Sequence, residues 1–246
     1  MTVHATRGIV LRSLPYGDTS LVCSIYTELF GKQSYLVKGV RAATKKSVGK
    51  AGYFQPGAIL DLEVYHNSFK DLQFLKSFYW GHVYQSVFFD VVKNAVATYV
   101  VEVMQLVLKE PEANPELFYL IEDSLKQLDK GSPGFTANLP LYFTLHLAAE
   151  LGFMVQGEFS AQTPILDLQE GQFVAQYPSH PHHLDGDRAR ISSELGQLPY
   201  YEALEGFSLN QQIRRQLLDA YLLFLQLHIP GFGTLKSYGV LKEVLG

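Results

Sequence analysis

The first eighty residues read as five short strands separated by turn-forming residues, and two of the runs carry a clear two-residue period. That spacing constrains the fold more than any other feature of the chain. Successive side chains of a strand point to opposite faces, so a half-buried strand alternates apolar with polar residues. Residues 9–14 make the first run. In residues 20–26, Leu21, Cys23 and Ile25 alternate with Val22, Ser24 and Tyr26. Between them lies Pro15-Tyr16-Gly17-Asp18, where proline presets φ and glycine and aspartate accept a tight reversal. Phe30-Gly31-Lys32 is a second turn and leads into a third strand over 33–40. Pro56-Gly57 opens a fourth, with Leu60, Leu62 and Val64 alternating with Asp61, Glu63 and Tyr65, and Asn67-Ser68 turns the chain into a fifth over 72–80. Five strands in so short a segment predict a small closed barrel of the OB-fold type, whose faces bind oligonucleotides.

The period then changes. Residues 81–110 read as a long helix stopped by Pro111, and Asn114-Pro115 restarts one with an N-cap and a proline in the first turn, running to about residue 128. Gly131-Ser132-Pro133-Gly134 reads as a break, Asn138 as the cap of a third helix, and Gly152 as its end. Periodicity is lost over 157–199, which is rich in Gly, Pro, Gln and His and reads as an irregular insertion or small subdomain. Ser208 and Gln211 resemble a capping box ahead of Ile213, Leu217, Tyr221 and Leu225, and a last short helix starts near Ser237. The expected class is therefore α+β: a five-stranded OB-fold barrel over 1–80, followed by a helical domain over 81–246 with the irregular insertion at about 157–199.

Charge divides the same way. Residues 1–80 carry ten Lys/Arg against five Asp/Glu, and residues 81–246 carry ten against nineteen, so a net +5 is tied to a net −9. A basic domain joined to an acidic one suggests nucleic-acid contact by the first. The cations concentrate in the loop 38–50, where Lys38, Arg41, Lys45, Lys46 and Lys50 occur with no acidic residue among them. Such side chains bind phosphates by displacing counterions, and nearby tyrosines (Tyr16, Tyr35, Tyr53) could stack bases. The alternative is an ordinary solvated loop with tyrosines filling the barrel. The loop is not a phosphate-cradling ATPase motif, because Gly49-Lys50 is followed by Ala51 and Thr44 stands where glycine is needed.

Other constellations are weaker. His180-Pro181-His182-His183-Leu184-Asp185-Gly186-Asp187 superficially resembles a metallo-hydrolase string, but Asp185 is one place late and Gly186 stands where the last His belongs. A polar surface loop is the better reading, and no metal or other cofactor is expected. The single cysteine, Cys23, allows no disulfide within the chain and reads as a small core residue. Arg214-Arg215 sits on the polar side of a helix in the acidic half and either receives an acidic peptide or is solvated. No nucleophile elbow, paired catalytic carboxylates or dinucleotide fingerprint is present, so no enzyme is expected. The N-terminus MTVHATRGIV lacks the apolar core of a signal peptide, and no apolar run approaches ~20 residues, so a soluble cytoplasmic protein is expected.

Several of these segments, in order, resemble the recombination mediator family RecO. They are Gly8-Ile9-Val10-Leu11-Arg12, Pro15 to Thr19, Phe30-Gly31-Lys32, Val37-Lys38-Gly39-Val40-Arg41, Gln55-Pro56 and the Leu60/Leu62/Val64-Tyr65 strand. His228-Ile229-Pro230-Gly231-Phe232, Leu235-Lys236-Ser237 and Val240-Leu241 extend the resemblance to the C-terminal region. It implies an N-terminal OB-fold, a helical domain, and an ATP-independent, nucleoid-associated protein that binds single- and double-stranded DNA and anneals strands. It further implies work with RecR to load the RecA recombinase onto DNA coated by single-strand-binding protein, whose acidic, apolar C-terminal tail the family binds. Family DNA contacts lie on the barrel's basic surface, which maps to Arg12, Lys32, Lys38, Arg41, Lys45, Lys46 and Lys50. Arg214 and Arg215 are candidates for the tail pocket. Many members carry a four-cysteine zinc module after the third helix, whereas 157–199 here contains no cysteine. The rival classes are a protein-only adaptor that uses the barrel for peptides, and a metallo-hydrolase built on His180, His182 and His183.

Overall fold

The computed structural model describes residues 2–42 and 49–245, and the chain forms two compact units. The first comprises residues 1–85 with 101–126, and the second 86–100 with 127–246. Helices α1 (Val91–Val107) and α2 (Pro115–Lys130) therefore contribute to both.

The first unit is built on the expected barrel. Its strands are β1 (Val3–Tyr16), β2 (Ser20–Thr27), β3 (Gly31–Val37), β4 (Ile59–Tyr65) and β5 (Leu72–Trp80). They close in the order β1-β2-β3-β5-β4, with only the β3–β5 pair parallel. Closure depends on β1, which serves two neighbours. Its first half pairs with β4 from Val3↔Tyr65 to Ile9↔Ile59, and its second half pairs with β2 down to Tyr16↔Ser20. A bulge between Val10 and Arg12 re-aims the strand between these partners. Gly8 lies in the stretch where β1 meets both neighbours, and a Cβ there would come within 2.7 Å of both Ile25 and Leu62. The alternation seen in the sequence is the barrel wall: Leu60, Leu62 and Val64 are buried while Asp61 is exposed. A short 3-10 helix, Lys50–Phe54, follows the basic loop and buries Phe54.

Residues 101–126 are fastened to this barrel by polar contacts as well as apolar ones. Gln105 Nε2 donates to Leu11 O at 2.6 Å, and the Tyr26 hydroxyl donates to Asn114 O at 3.1 Å. Arg7 bonds Glu28 at 3.0 Å and Glu122 at 2.6 Å, with its guanidinium over the rings of Phe118 and Tyr119. Tyr119 donates to the other Glu28 oxygen at 2.7 Å, and Lys126 reaches Glu122 at 3.0 Å. Glu122 is almost wholly buried, so its two partners, Arg7 and Lys126, offset its desolvation.

In the second unit, α3 (Pro133–Glu150) has a largely buried surface, as expected of a helix apolar nearly all round, and packs chiefly on α5 (Gln211–His228). Buried hydroxyls pair within this unit, Tyr99 with Thr144 at 2.6 Å and Ser192 with Tyr221 at 2.8 Å. The segment 157–199 is more regular than its sequence suggests. It holds β6 (Ile165–Asp167), β7 (Gln172–Val174) and β8 (His183–Leu184) in the order β7-β6-β8, then α4 (Gly186–Gly196). Ile165, Leu166, Phe173, Leu184 and Ile191 of this segment are buried. The chain ends in α6 (Ser237–Val244). Among the described residues no helix is long and apolar enough to cross a membrane.

Three helix starts differ from the expectation. The helix expected over 81–110 begins at Val91, because the Asp90 carboxylate accepts from the backbone N–H groups of Val92 and Lys93 and caps it there. Asn138 lies inside α3 rather than capping it. Ser132 is the N-cap, accepting from Phe135 N, and Pro133 takes the first turn. The buried Asn138 amide instead donates to Phe207 O and accepts from Arg214 Nε. At α5, Asn210 caps Ile213 N, in place of the expected Ser208.

Candidate nucleic-acid interface

The positions expected to contact DNA are distributed over the barrel unit. Val40, 3% exposed, pins the chain just after β3, so that Lys38 and Arg41 flank it and stay exposed. The Arg41 backbone N–H donates to Thr19 O at 2.9 Å and its guanidinium to Gly17 O at 3.2 Å, which ties this loop to the β1–β2 turn. Lys38 holds its ammonium 5.2 Å from the Phe74 ring centroid, a cation–π contact that leaves the charge in water. Arg12 is exposed on β1 opposite Ser24, and Lys50 is exposed at the start of the 3-10 helix. Among the described residues none of these four cations pairs with a carboxylate. Unneutralised charge on a surface loop is what phosphate contact requires.

Lys32 stands apart. It is the second residue of β3, roughly 20 Å from Lys38 at the rise of an extended chain, and its ammonium donates to Leu108 O. Half-buried there, it is held below the usual lysine range by desolvation. Lys45 and Lys46 lie outside the described residues.

The tyrosines divide as well. Tyr16 is 58% exposed at the β1–β2 turn, whereas Tyr35 is fully buried inside the barrel and cannot stack a base. Tyr53 is half-buried and lies face to face with Trp80, ring centroids 4.4 Å apart and planes 20° apart. Trp80 did not figure among the sequence candidates, because a lone tryptophan ending a strand carries no pattern. Its pairing with Tyr53 is a product of barrel closure.

In the second unit, Arg214 and Arg215 border one shallow hollow of about 20 Å³, shared with Leu218, Tyr238, Leu241 and Lys242. Arg214 is half-buried, committed to Asn138 Oδ1 and Leu209 O, and burial holds it below the usual arginine range. Arg215 is exposed and donates to Lys242 O at 2.9 Å. Of the histidines, His180 sits 3.3 Å from the buried Asp167 carboxylate and stacks on His182, and His183 belongs to β8. Among the described residues no group of three or more His, Cys, Asp or Glu side chains converges to hold a metal ion. Cys23 is a core residue, and burial pushes its thiol up to about 11.

Comparison with known proteins bears on the whole chain. The family profile described as "Recombination protein O N terminal" matches residues 1–82, and that described as "Recombination protein O C terminal" matches residues 89–238. The chain is 32% identical over 248 residues to the DNA repair protein RecO of Christiangramia forsetii, covering 100% of each chain. It is 30% identical over 242 residues to the DNA repair protein RecO of Phocaeicola vulgatus, covering 98% of this chain and 99% of that one. Identity to the RecO of Azobacteroides pseudotrichonymphae is 27%, with the same coverage.

Proposed function

The chain belongs to the RecO family, and from that premise we propose that it is an ATP-independent DNA repair protein that binds DNA through its barrel and anneals complementary strands. With RecR as partner it helps load recombinase onto DNA coated by single-strand-binding protein, in the cytoplasm at the nucleoid. It does this as a binding protein, with no bond made or broken and no cofactor. DNA binding falls to residues 1–80 and partner binding to residues 81–246.

The observation that carries the reading is the set of exposed cations, Arg12, Lys38, Arg41 and Lys50, that pair with no carboxylate among the described residues of the barrel unit. Lys45 and Lys46 belong to the same loop by sequence. Two nucleic-acid strands repel through their phosphates. A surface that neutralises several phosphates at once lowers that repulsion and so lowers the barrier to pairing. Lys32, already committed to a carbonyl, contributes least. In the second unit, the Arg215 guanidinium beside Leu218 and Leu241 suits an acidic, apolar peptide tail such as that of single-strand-binding protein.

Charge reversal tests the assignment. The triple variant Lys38→Glu, Arg41→Glu, Lys50→Glu should lose binding to all DNA sequences alike and slow annealing of complementary oligonucleotides. Wild-type annealing by a folded triple variant would reject the barrel surface as the DNA site and favour the reading in which the barrel binds only protein.

A further inference from the structure

The 3-10 helix Lys50–Phe54 carries more than the barrel needs. Phe54, 1% exposed, already plugs the barrel, edge-on to Phe78 at 4.8 Å. Ser13 Oγ donates to Phe54 O and fixes the helix to β1. Tyr53 lies one layer further out, stacked on Trp80 and edge-on to Phe78 at 5.3 Å, with part of its ring in solvent. In a 3-10 helix residues three apart eclipse one another, so exposed Lys50 and Tyr53 share one side of the helix. The intervening residues, Ala51 and Gly52, are small, and a Cβ placed on Gly52 would meet nothing within 4 Å. A part-exposed aromatic ring backed by a second ring, with an exposed lysine one turn away and no carboxylate bound to it among the described residues, has the two parts of a single-strand site: a π-face for a base and a cation for the adjoining phosphate.

We propose that Tyr53, supported by Trp80, is a base-stacking platform for single-stranded DNA, with Lys50 holding the phosphate beside the stacked base. The proposal rests on the DNA-binding reading above and narrows it. A duplex keeps its bases stacked on one another and offers a free face only at its two ends, so the platform favours single strands over duplex. Stacking also occupies only the face of the base and leaves its pairing edge open, as strand annealing requires.

Trp80 is the only tryptophan in the chain, so its fluorescence reports on this spot alone. Titration of the full-length protein with an unlabelled oligo-dT should quench that fluorescence saturably, and a blunt duplex should quench it far less. Tyr53→Ala should weaken oligo-dT binding roughly 5- to 150-fold, the range that stacking one base on an aromatic ring is worth. Its duplex affinity should be nearly unchanged, and Tyr53→Phe should restore single-strand binding. Salt-sensitive binding of oligo-dT without Trp80 quenching, or with wild-type affinity in Tyr53→Ala, overturns the platform and leaves the cationic surface standing. No binding of oligo-dT even at low salt overturns both. Should Tyr53→Ala fail to fold, the quenching of wild-type Trp80 decides alone.

Discussion

Two glycines in the barrel unit make the same demand on the backbone and differ in what surrounds them, so together they isolate the contribution of packing. Gly17 (φ +54°) turns the chain between β1 and β2, and Gly31 (φ +61°) turns it between β2 and β3. Alanine at either position must adopt the left-handed region, at a cost of roughly 1 to 2 kcal/mol. At Gly17 nothing lies within 4 Å of the new Cβ, so that cost is the whole effect. At Gly31 the Cβ would fall 2.1 Å from the carbonyl oxygen and 2.5 Å from the carbonyl carbon of Glu112. These are backbone atoms and cannot rotate aside, so the segment that joins α1 to α2 must shift. Overpacking of that kind costs about 1 to 3 kcal/mol more. Gly31→Ala should therefore lose roughly 2 to 5 kcal/mol, a large share of the ~5 to 15 kcal/mol typical of a folded protein. Gly17→Ala should lose only ~1 to 2 kcal/mol. Urea unfolding followed by circular dichroism measures both, and an unchanged slope against urea confirms that the midpoints report stability. Equal losses in the two variants would mean that residues 108–114 do not press on the β2–β3 turn.

Other outcomes follow from the same geometry. Arg7→Ala leaves the buried Glu122 with Lys126 as its remaining charged partner and should cost about 2 to 4 kcal/mol in urea unfolding. The Arg7 guanidinium holds the Glu28 carboxyl below its ordinary value of 4.5. The stability Glu28 supplies is thus complete above 4.5 and lost as pH falls through its lowered folded value, so Glu28→Gln should flatten the acid limb of a pH series of urea midpoints. Cys23, fully buried and pushed up to about 11, should react with a thiol reagent at pH 8 only as fast as the barrel opens, and at full rate in denaturant. Tyr99→Phe removes the buried bond to Thr144 and should cost about 1 kcal/mol, because Thr144 keeps its bond to Pro140 O.

The barrel was legible because one rule governs its wall. Leu60, Leu62 and Val64 face inward while Asp61 faces water, and the fifth strand, placed by the Asn67-Ser68 turn before it, runs from Leu72 to Trp80. Helix starts were less legible, since a cap is a local competition. Gly131-Ser132-Pro133-Gly134 has the composition of a break, yet Ser132 and Pro133 are the cap and first turn of α3. Asn138 looked like a cap because it is polar, and only its tertiary partners, Phe207 O and Arg214, explain its place inside a helix. The strands within 157–199 are two or three residues long, too short for a period to show. For the candidate site, the sequence identified the cations by composition. It could not separate Lys32, tied to Leu108 O, from the exposed set, nor Tyr35 inside the barrel from Tyr53 on its outside. Those distinctions arise when the barrel closes.

Whether the barrel's cations grip phosphate is answered by fluorescence-anisotropy titration of a labelled single-stranded oligonucleotide across a salt series. Each phosphate neutralised on a single strand contributes a slope of about −0.7 in log affinity against log salt. Contact by Arg12, Lys38, Arg41 and Lys50 predicts a slope near −3, and adding Lys45 and Lys46 predicts about −4. The Lys38→Glu, Arg41→Glu, Lys50→Glu variant should lose most of that slope. A slope near zero, or one that the variant leaves unchanged, would contradict DNA binding by this surface and direct attention to protein partners of the barrel.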